Sequence, residues 1–253
     1  MTRPILEVVD LAFTYPDGTR ALQGLTFSVA EGEAVAIVGA NGAGKSTLLH
    51  HLNGTASPAR GTVSIDGLPV AGPNLTEIRK RVGMVFQDPD DQLFMPTVAE
   101  DVAFGPLNLG LDADEVAARV KGALATVDAL ALAAKPPYRL SQGEKRRVAI
   151  ATALAMEPAI LVMDEPTSGL DPRSRRHLCR LLQVFEHTKI IATHDLDLVI
   201  DLCPRTLVLH EGRLMADGPT REIFMDEGLL ALCHLEQPFS MQGCPVCGRT
   251  VPQ

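Results

Sequence analysis

The chain of 253 residues has no tryptophan, two tyrosines and an aromatic fraction of 4%, so any exposed tyrosine needs a reason. Long apolar runs are missing as well. The charge-free stretch Val148–Met156 is about half of the ~18–20 residues that a membrane span requires. No transmembrane helix is therefore expected, although the mean hydropathy is slightly positive at +0.12. The N-terminus lacks the apolar core of a signal peptide, which predicts a chain that stays in the cytoplasm. Excess basic charge is absent. A net charge of −8 and a pI near 5.4 speak against a bulk nucleic-acid surface. The five cysteines are an odd number, and Cys179, Cys203 and Cys233 stand apart in periodic segments, which disfavours a disulfide framework. A chain of this length buries about three quarters of its unfolded surface and needs no such staples.

What is present alternates. Strand-like runs at Ile5–Val9, Leu25–Val29, Ala34–Val38, Thr62–Ile65 and Val82–Phe86 are separated by turn pairs such as Asp17-Gly18 and Glu31-Gly32. The wholly apolar run 34–38 predicts a strand buried on both faces, with a helix from Lys45 to about Leu52 directly after it. From about 97 to 156 the period becomes helical, with Val116, Val120, Leu124 and Val127 on one face and Asp112 and Asp114 near its start. Gly105-Pro106 and Pro136-Pro137 read as the bounds of this helical insert. Strands return at Ile160–Met163, Lys189–Ala192 and Thr206–Leu209, with helices near 173–186 and 195–202 between them. The expected fold is α/β, with a mostly parallel sheet. Residues 1–225 are expected to form the main domain and 226–253 an appendage.

The strongest chemical signal is Gly39-Ala-Asn-Gly-Ala-Gly-Lys-Ser-Thr47, which fits G-x-x-x-x-G-K-S/T between a buried strand and a helix. Gly39, Asn41, Gly42, Ala43 and Gly44 offer backbone N–H groups to phosphate oxygens, and the helix start adds positive potential. Lys45 is placed to reach the β- and γ-phosphates, the Ser46 hydroxyl to ligate Mg²⁺, and Thr47 to complete the loop. At the end of the strand 160–163 stand Asp164, expected to hold Mg²⁺ through water, and Glu165, expected to polarise the attacking water.

Around these two halves the chain resembles the ATP-binding cassette (ABC) proteins. Leu140-Ser-Gln-Gly-Glu144 is similar to their signature sequence, Gln87 to the Q-loop glutamine, Asp171 to the D-loop, His194 to the switch histidine and Tyr15 to the aromatic that stacks on adenine. The resemblance spans residues 5 to about 220. It implies a P-loop NTPase core with an N-terminal antiparallel β subdomain, a helical insert, ATP and Mg²⁺ as ligands, and ATP hydrolysis. It also implies a second ATPase subunit whose Ser141, Gly143 and Glu144 face the γ-phosphate. Ser141 and Glu144 form a capping box as well, and a capped helix start is what faces phosphate. Gln142 replaces the usual glycine at the second signature position, which predicts altered affinity with activity kept.

The segments 86–95 and 100–111, with Asp90-Asp91-Gln92 and Gly105–Leu109, resemble one branch, the ATPase subunits of energy-coupling factor transporters. Within it they look closer to cobalt/nickel than to vitamin subunits. That branch implies an importer ATPase on the cytoplasmic face of the membrane, a homodimer, and integral membrane coupling and substrate-binding subunits, with no nucleic acid. Phe86, Leu93, Phe94 and Met95 are the apolar contacts expected for the membrane partner, with ordinary core packing as the other reading, above all for Phe86. The alternatives are a vitamin importer ATPase and a soluble ABC ATPase acting on nucleic acid or ribosomes. In the tail, Cys244-Pro-Val-Cys247 has zinc-knuckle spacing, with Cys233 and His234 as the nearby candidates to complete a site for Zn²⁺ or another transition metal. A reduced cysteine tail is the other reading.

Overall fold

A computed structural model of the chain describes residues 4–242. Strands β1 (Leu6–Thr14) and β2 (Arg20–Val29) pair antiparallel, β3 (Ala34–Val38) runs into α1 (Lys45–Leu52), and β4 (Arg60–Ile65) and β5 (Leu68–Pro69) follow. Helix α2 (Leu75–Arg81) leads to β6 (Val82–Val85). The insert comprises α3 (Val98–Asn108), α4 (Ala113–Thr126) and α5 (Gln142–Leu154). Then β7 (Ile160–Asp164), α6 (Pro172–Val184), β8 (Thr188–Ala192), α7 (Leu196–Leu202), β9 (Arg205–His210) and β10 (Arg213–Pro219) complete the core. Helices α8 (Thr220–Met225) and α9 (Glu227–Leu232) close it.

Two sheets result. One is antiparallel, in the order β2-β1-β4-β5; the other runs β10-β9-β3-β8-β7-β6 and is parallel except for β10. The fold is therefore the expected α/β one, with a separate N-terminal antiparallel sheet. All five residues of β3 are buried, and the strand feeds two cores because side chains alternate across the pleat. Ala34, Ala36 and Val38 join the helical insert, α6 and α7 on one face. Val35 and Ile37 join α1 and the antiparallel sheet on the other. Strand β7 divides likewise, with Leu161 and Met163 on the first face and Ile160 and Val162 on the second. Both catalytic strands are thus clamped from two sides, which fixes the loops at their C-terminal ends.

The helix predicted from the 3.6-residue period is α4, with Asp112 as its N-cap, accepting from Glu115 N at 2.9 Å. One boundary needs correction. Gly105 and Pro106 do not bound the insert but lie inside α3, because tertiary packing overrides their breaking tendency. A Cβ on Gly105 would sit 2.3 Å from Met156 Sδ, so glycine lets the end of α5 approach α3. The sequence reading misses the edge strand β10, whose residues alternate between exposed and half-buried, the two-residue strand β5, and the short helices α2, α8 and α9. The described part of the appendage packs on the core, with Leu230 and Cys233 joining it. Ser240 N donates to Asp197 Oδ1 at 2.9 Å.

Candidate functional site

The loop from β3 to α1 is shaped by its glycines. Gly44 caps α1 at φ 103°, and a Cβ there would lie 2.6 Å from the Ala21 carbonyl oxygen. No side chain caps this helix, which leaves its first N–H groups for an anion. Lys45 is 7% exposed and folds back over the loop, Nζ donating to Gly39 O at 2.8 Å and Ala40 O at 3.3 Å. Burial lowers its pKa, while Glu165 and Asp164 oppose the shift. Such a lysine can exchange two carbonyls for phosphate oxygens. Gly39 and Ala43 stand behind this surface; Ala43 belongs to the core.

Tyr15, just beyond β1, is half-exposed, and its hydroxyl pairs with Thr47 Oγ1 at 2.9 Å. The ring is held edge-on by Phe13 at 5.0 Å, and Phe13 in turn by the buried His51 at 4.8 Å. Tyr15 therefore presents a face to a cavity of about 410 Å³ that it shares with Asn41, Gly42, Gly44, Lys45, Ser46, Thr47, Gln87, Glu165 and His194. An aromatic wall above a phosphate cradle suits a purine nucleotide.

Asp164 ends β7 and is 6% exposed. Burial pushes its carboxyl up from the ordinary range; the Ser46 hydroxyl opposes this, and Glu165 adds to it. Its Oδ1 is buried without a hydrogen-bond partner among the described residues. An unsatisfied carboxylate oxygen beside a serine hydroxyl, with the Gln87 amide on the same cavity, is an oxygen donor set for a hard cation. The residues fit Mg²⁺: Ser46, Asp164 and Gln87 would hold it, and when bound it supplies charge neutralisation to the phosphates.

Glu165 has a left-handed backbone, φ 47°, which aims its carboxylate inward. Oε2 accepts from Thr193 Oγ1 at 2.9 Å and from His194 N at 3.2 Å, and lies 2.8 Å from His194 Nδ1. The His194 side chain is 65% exposed on the cavity side. The Glu165 carboxylate and the exposed His194 imidazole are thus tied through one oxygen. Thr193, wholly buried, was not singled out by the sequence, although it sits within Ala192-Thr-His-Asp195. The Arg175–Asp195 pair was missed too. It is bidentate at 2.6 and 2.7 Å and braces the segment after His194 against α6.

The signature residues are elsewhere. Ser141 caps α5, and the capping box is complete: Ser141 N donates to Glu144 Oε2 at 2.8 Å, Glu144 N to Ser141 Oγ at 3.3 Å. The Ser141 N–H holds the Glu144 carboxyl below its ordinary value. Gly143 is a close-approach glycine, since a Cβ would meet Ser174 Oγ at 2.6 Å. Asp171 caps α6 by accepting from Arg173 N and Ser174 N. Ser141, Gly143, Glu144 and Asp171 line a groove of about 1010 Å³ with Arg147, Arg173, Arg176 and Arg180. That groove shares no lining residue with the Lys45 cavity, so the signature residues and the phosphate loop face separate concavities of one chain. Gln142 belongs to a third cleft, of about 820 Å³, with Ser46, Gln87, Arg146 and Asp164.

Other expectations divide. Phe94 is exposed, Phe86 and Met95 are half-buried, and Leu93 is buried in the core rather than offered to a partner, because its turn folds under onto β6. Phe104, exposed on α3, meets Phe94 edge-to-face at 5.1 Å between ring centroids, and Leu107 is exposed one turn farther along the same helix. Cys233 is fully buried among apolar side chains, and burial raises its thiol pKa; the His234 ring lies 5.4 Å from that of His210. Among the described residues no three His, Cys, Asp or Glu side chains converge as a metal site. Cys244 and Cys247 lie outside those residues.

Comparison with known proteins agrees with this geometry. The family model described as ABC transporter matches residues 22–168. A putative ABC transporter ATP-binding protein of Geobacter sulfurreducens is 65% identical over 98% of this chain and 100% of its own length. The energy-coupling factor transporter ATP-binding protein EcfA of Methanocaldococcus jannaschii is 48% identical, over 92% of this chain and 86% of its own. The structure of cbiO1 from Clostridium perfringens, described as part of the ABC transporter complex cbiONQ, superposes with a TM-score of 0.81 at 41% identity, covering 90% of this chain and 94% of that one. The phosphate loop, the paired carboxylates and the signature helix therefore belong together, and the chain is a member of the ABC transporter family, an ATP-hydrolysing subunit of a transporter.

Proposed function

We infer that this subunit energises an importer, taking up cobalt or nickel ions, as one of two identical ATPases docked on integral membrane coupling and substrate-binding subunits at the cytoplasmic face. ABC ATPases act as dimers with membrane components, and the separation of the Lys45 cavity from the Ser141 groove suits ATP held between two chains. The observation that carries the docking part is the exposed Phe94, Phe104 and Leu107 cluster directly after the Gln87 loop. Asp101 supports it from below, Oδ1 accepting Phe94 N and Met95 N at 2.9 Å each. Among the described residues no helix is long and apolar enough to cross a membrane.

In this reading Tyr15 stacks on adenine, Lys45 and the loop N–H groups hold the phosphates, and Glu165 takes a proton from the attacking water. His194 contacts the γ-phosphate, and the partner's signature helix closes the site. The cargo assignment draws on the Asp90–Gln92 and Gly105–Leu109 segments and on the likeness to cbiO1. Metal analysis of purified protein reads directly whether the tail cysteines Cys244 and Cys247 bind a transition metal. The decisive experiment is uptake of radiolabelled Co²⁺ and Ni²⁺ by cells carrying or lacking the gene, with E165Q as the inactive control. Uptake that depends on the gene and fails with E165Q supports the reading. Unchanged metal uptake with lost vitamin uptake replaces the cargo. Loss of neither rejects the importer.

A further inference from the structure

Arg146 lies in α5, five residues beyond the Ser141 cap, and is 2% exposed. It makes no ion pair among the described residues. Its partners are main-chain carbonyls: Nη1 donates to Phe86 O at 2.8 Å, Nη2 to Gln87 O at 2.7 Å, and Nη2 reaches Ser168 O at 3.5 Å. Nε is buried without a partner. Burying a guanidinium is costly unless its hydrogen bonds are good, and an aliphatic residue such as the neighbouring Val148 would pack the helix more cheaply. Burial lowers the pKa of Arg146, with Asp88, Asp164 and Glu165 opposing at longer range. A guanidinium remains charged regardless.

The elements it joins explain the choice. Phe86 and Gln87 leave β6 toward the cation site, Ser168 follows Glu165, and α5 carries Ser141 toward a partner. A planar fork spans two adjacent carbonyls where a lysine ammonium bonds as a single point. A second tie between β6 and α5 is the Gln92 amide, whose Oε1 accepts from Phe86 N at 3.1 Å and whose Nε2 donates to Met84 O at 3.3 Å, Ala149 O at 2.9 Å and Thr152 Oγ1 at 2.7 Å. It lies farther along α5 and does not touch Gln87.

We propose that Arg146 is a positioning residue for ATP turnover: its fork fixes the Phe86 and Gln87 backbones to the helix bearing Ser141, so the Gln87 loop and that helix move as a unit. The inference rests on the ATP-site reading above.

The test uses R146Q and R146K in the full chain. Steady-state ATPase against MgATP is paired with equilibrium ADP binding and with ATP-driven dimerisation in an E165Q background. R146Q is expected to raise KM for MgATP about ten-fold and lower kcat, with ADP affinity within about two-fold of wild type, since a displaced backbone costs alignment rather than the phosphate cradle. R146K, charged but unable to fork, falls between. E165Q alone dimerises with ATP, and R146Q/E165Q does not. An unchanged KM with intact dimerisation overturns the proposal. So does ADP affinity that weakens in step with KM, which reduces Arg146 to general packing. If R146Q does not fold, R146K decides by the same split. If E165Q alone hydrolyses normally, the site reading has failed; if E165Q behaves and R146Q is silent, only this inference has.

Discussion

Thr193 is a sharp place to test the catalytic geometry, because its hydroxyl makes two bonds and touches no nucleotide-binding loop. It donates to Glu165 Oε2 at 2.9 Å and accepts from Asp195 N at 3.0 Å. T193V keeps the shape and removes both. The bond to the buried Glu165 carboxylate is charge-assisted and contributes about 1.5–3 kcal/mol. The Asp195 N–H is only partly buried, so leaving it unpaired costs about 1 kcal/mol. The sum, about 2.5–4 kcal/mol, is a large part of the ~5–15 kcal/mol that holds a domain together. For a chain of this size it lowers Tm by about 5–10 °C. Glu165 retains His194 N and Nδ1 as neighbours but loses its anchor on the buried side, so its carboxylate is no longer held in one orientation toward the cavity. General-base positioning supplies about 10²–10⁴-fold, and kcat is expected to fall by about ten-fold or more, with KM for ATP nearly unchanged. T193S retains the hydroxyl and is expected to keep kcat. The assay is coupled-enzyme ATPase with calorimetric melting of all three proteins. If T193V turns over within about two-fold of wild type, the anchoring role of Thr193 is wrong.

Three further outcomes are expected. E165Q should bind ATP and lose hydrolysis by about 10²-fold or more, read by product formation in a single turnover. G143A should destabilise by about 1–3 kcal/mol through overlap with Ser174, and S174G should recover part of that loss in a double-mutant cycle. Asp101 offers a pH test: burial raises its carboxyl pKa against the lowering bonds from Met95 and Phe94. The native state then holds the proton more tightly than the unfolded chain. The resulting destabilisation is absent below the unfolded pKa and complete once pH has passed the folded one. The Tm of D101N relative to wild type should therefore rise between acid and neutral pH, and a flat difference contradicts the raised pKa.

How much of this was legible beforehand depended on the kind of signal. Strand β3 and the loop after it were readable because five apolar residues and a fixed glycine-lysine spacing leave few conformations. Helix α4 was readable because its apolar residues and its Asp112 cap agree. Gly105-Pro106 misled because local breaking tendency is weaker than the packing of Met156 into the space that glycine leaves. The strand β10 was hidden by Gly218 and Pro219, which are tolerated only because it is an edge. Tyr15 could be placed from its motif, but the stack of Phe13 and His51 behind it could not, since those residues meet across unrelated segments. Leu93 and Cys233 looked available in one dimension and are buried in three.

The separation of the Lys45 cavity from the Ser141 groove has a kinetic consequence. In the proposed two-chain arrangement a solitary chain owns two halves of different sites and no whole one, so turnover has a reaction order above one in protein. Specific activity is then not a constant of the molecule. It falls on dilution and levels off only where chains pair. Two chains with complementary lesions, one at Lys45 and one at Ser141, are each inert alone, yet mixing them assembles one intact pocket and one doubly damaged one.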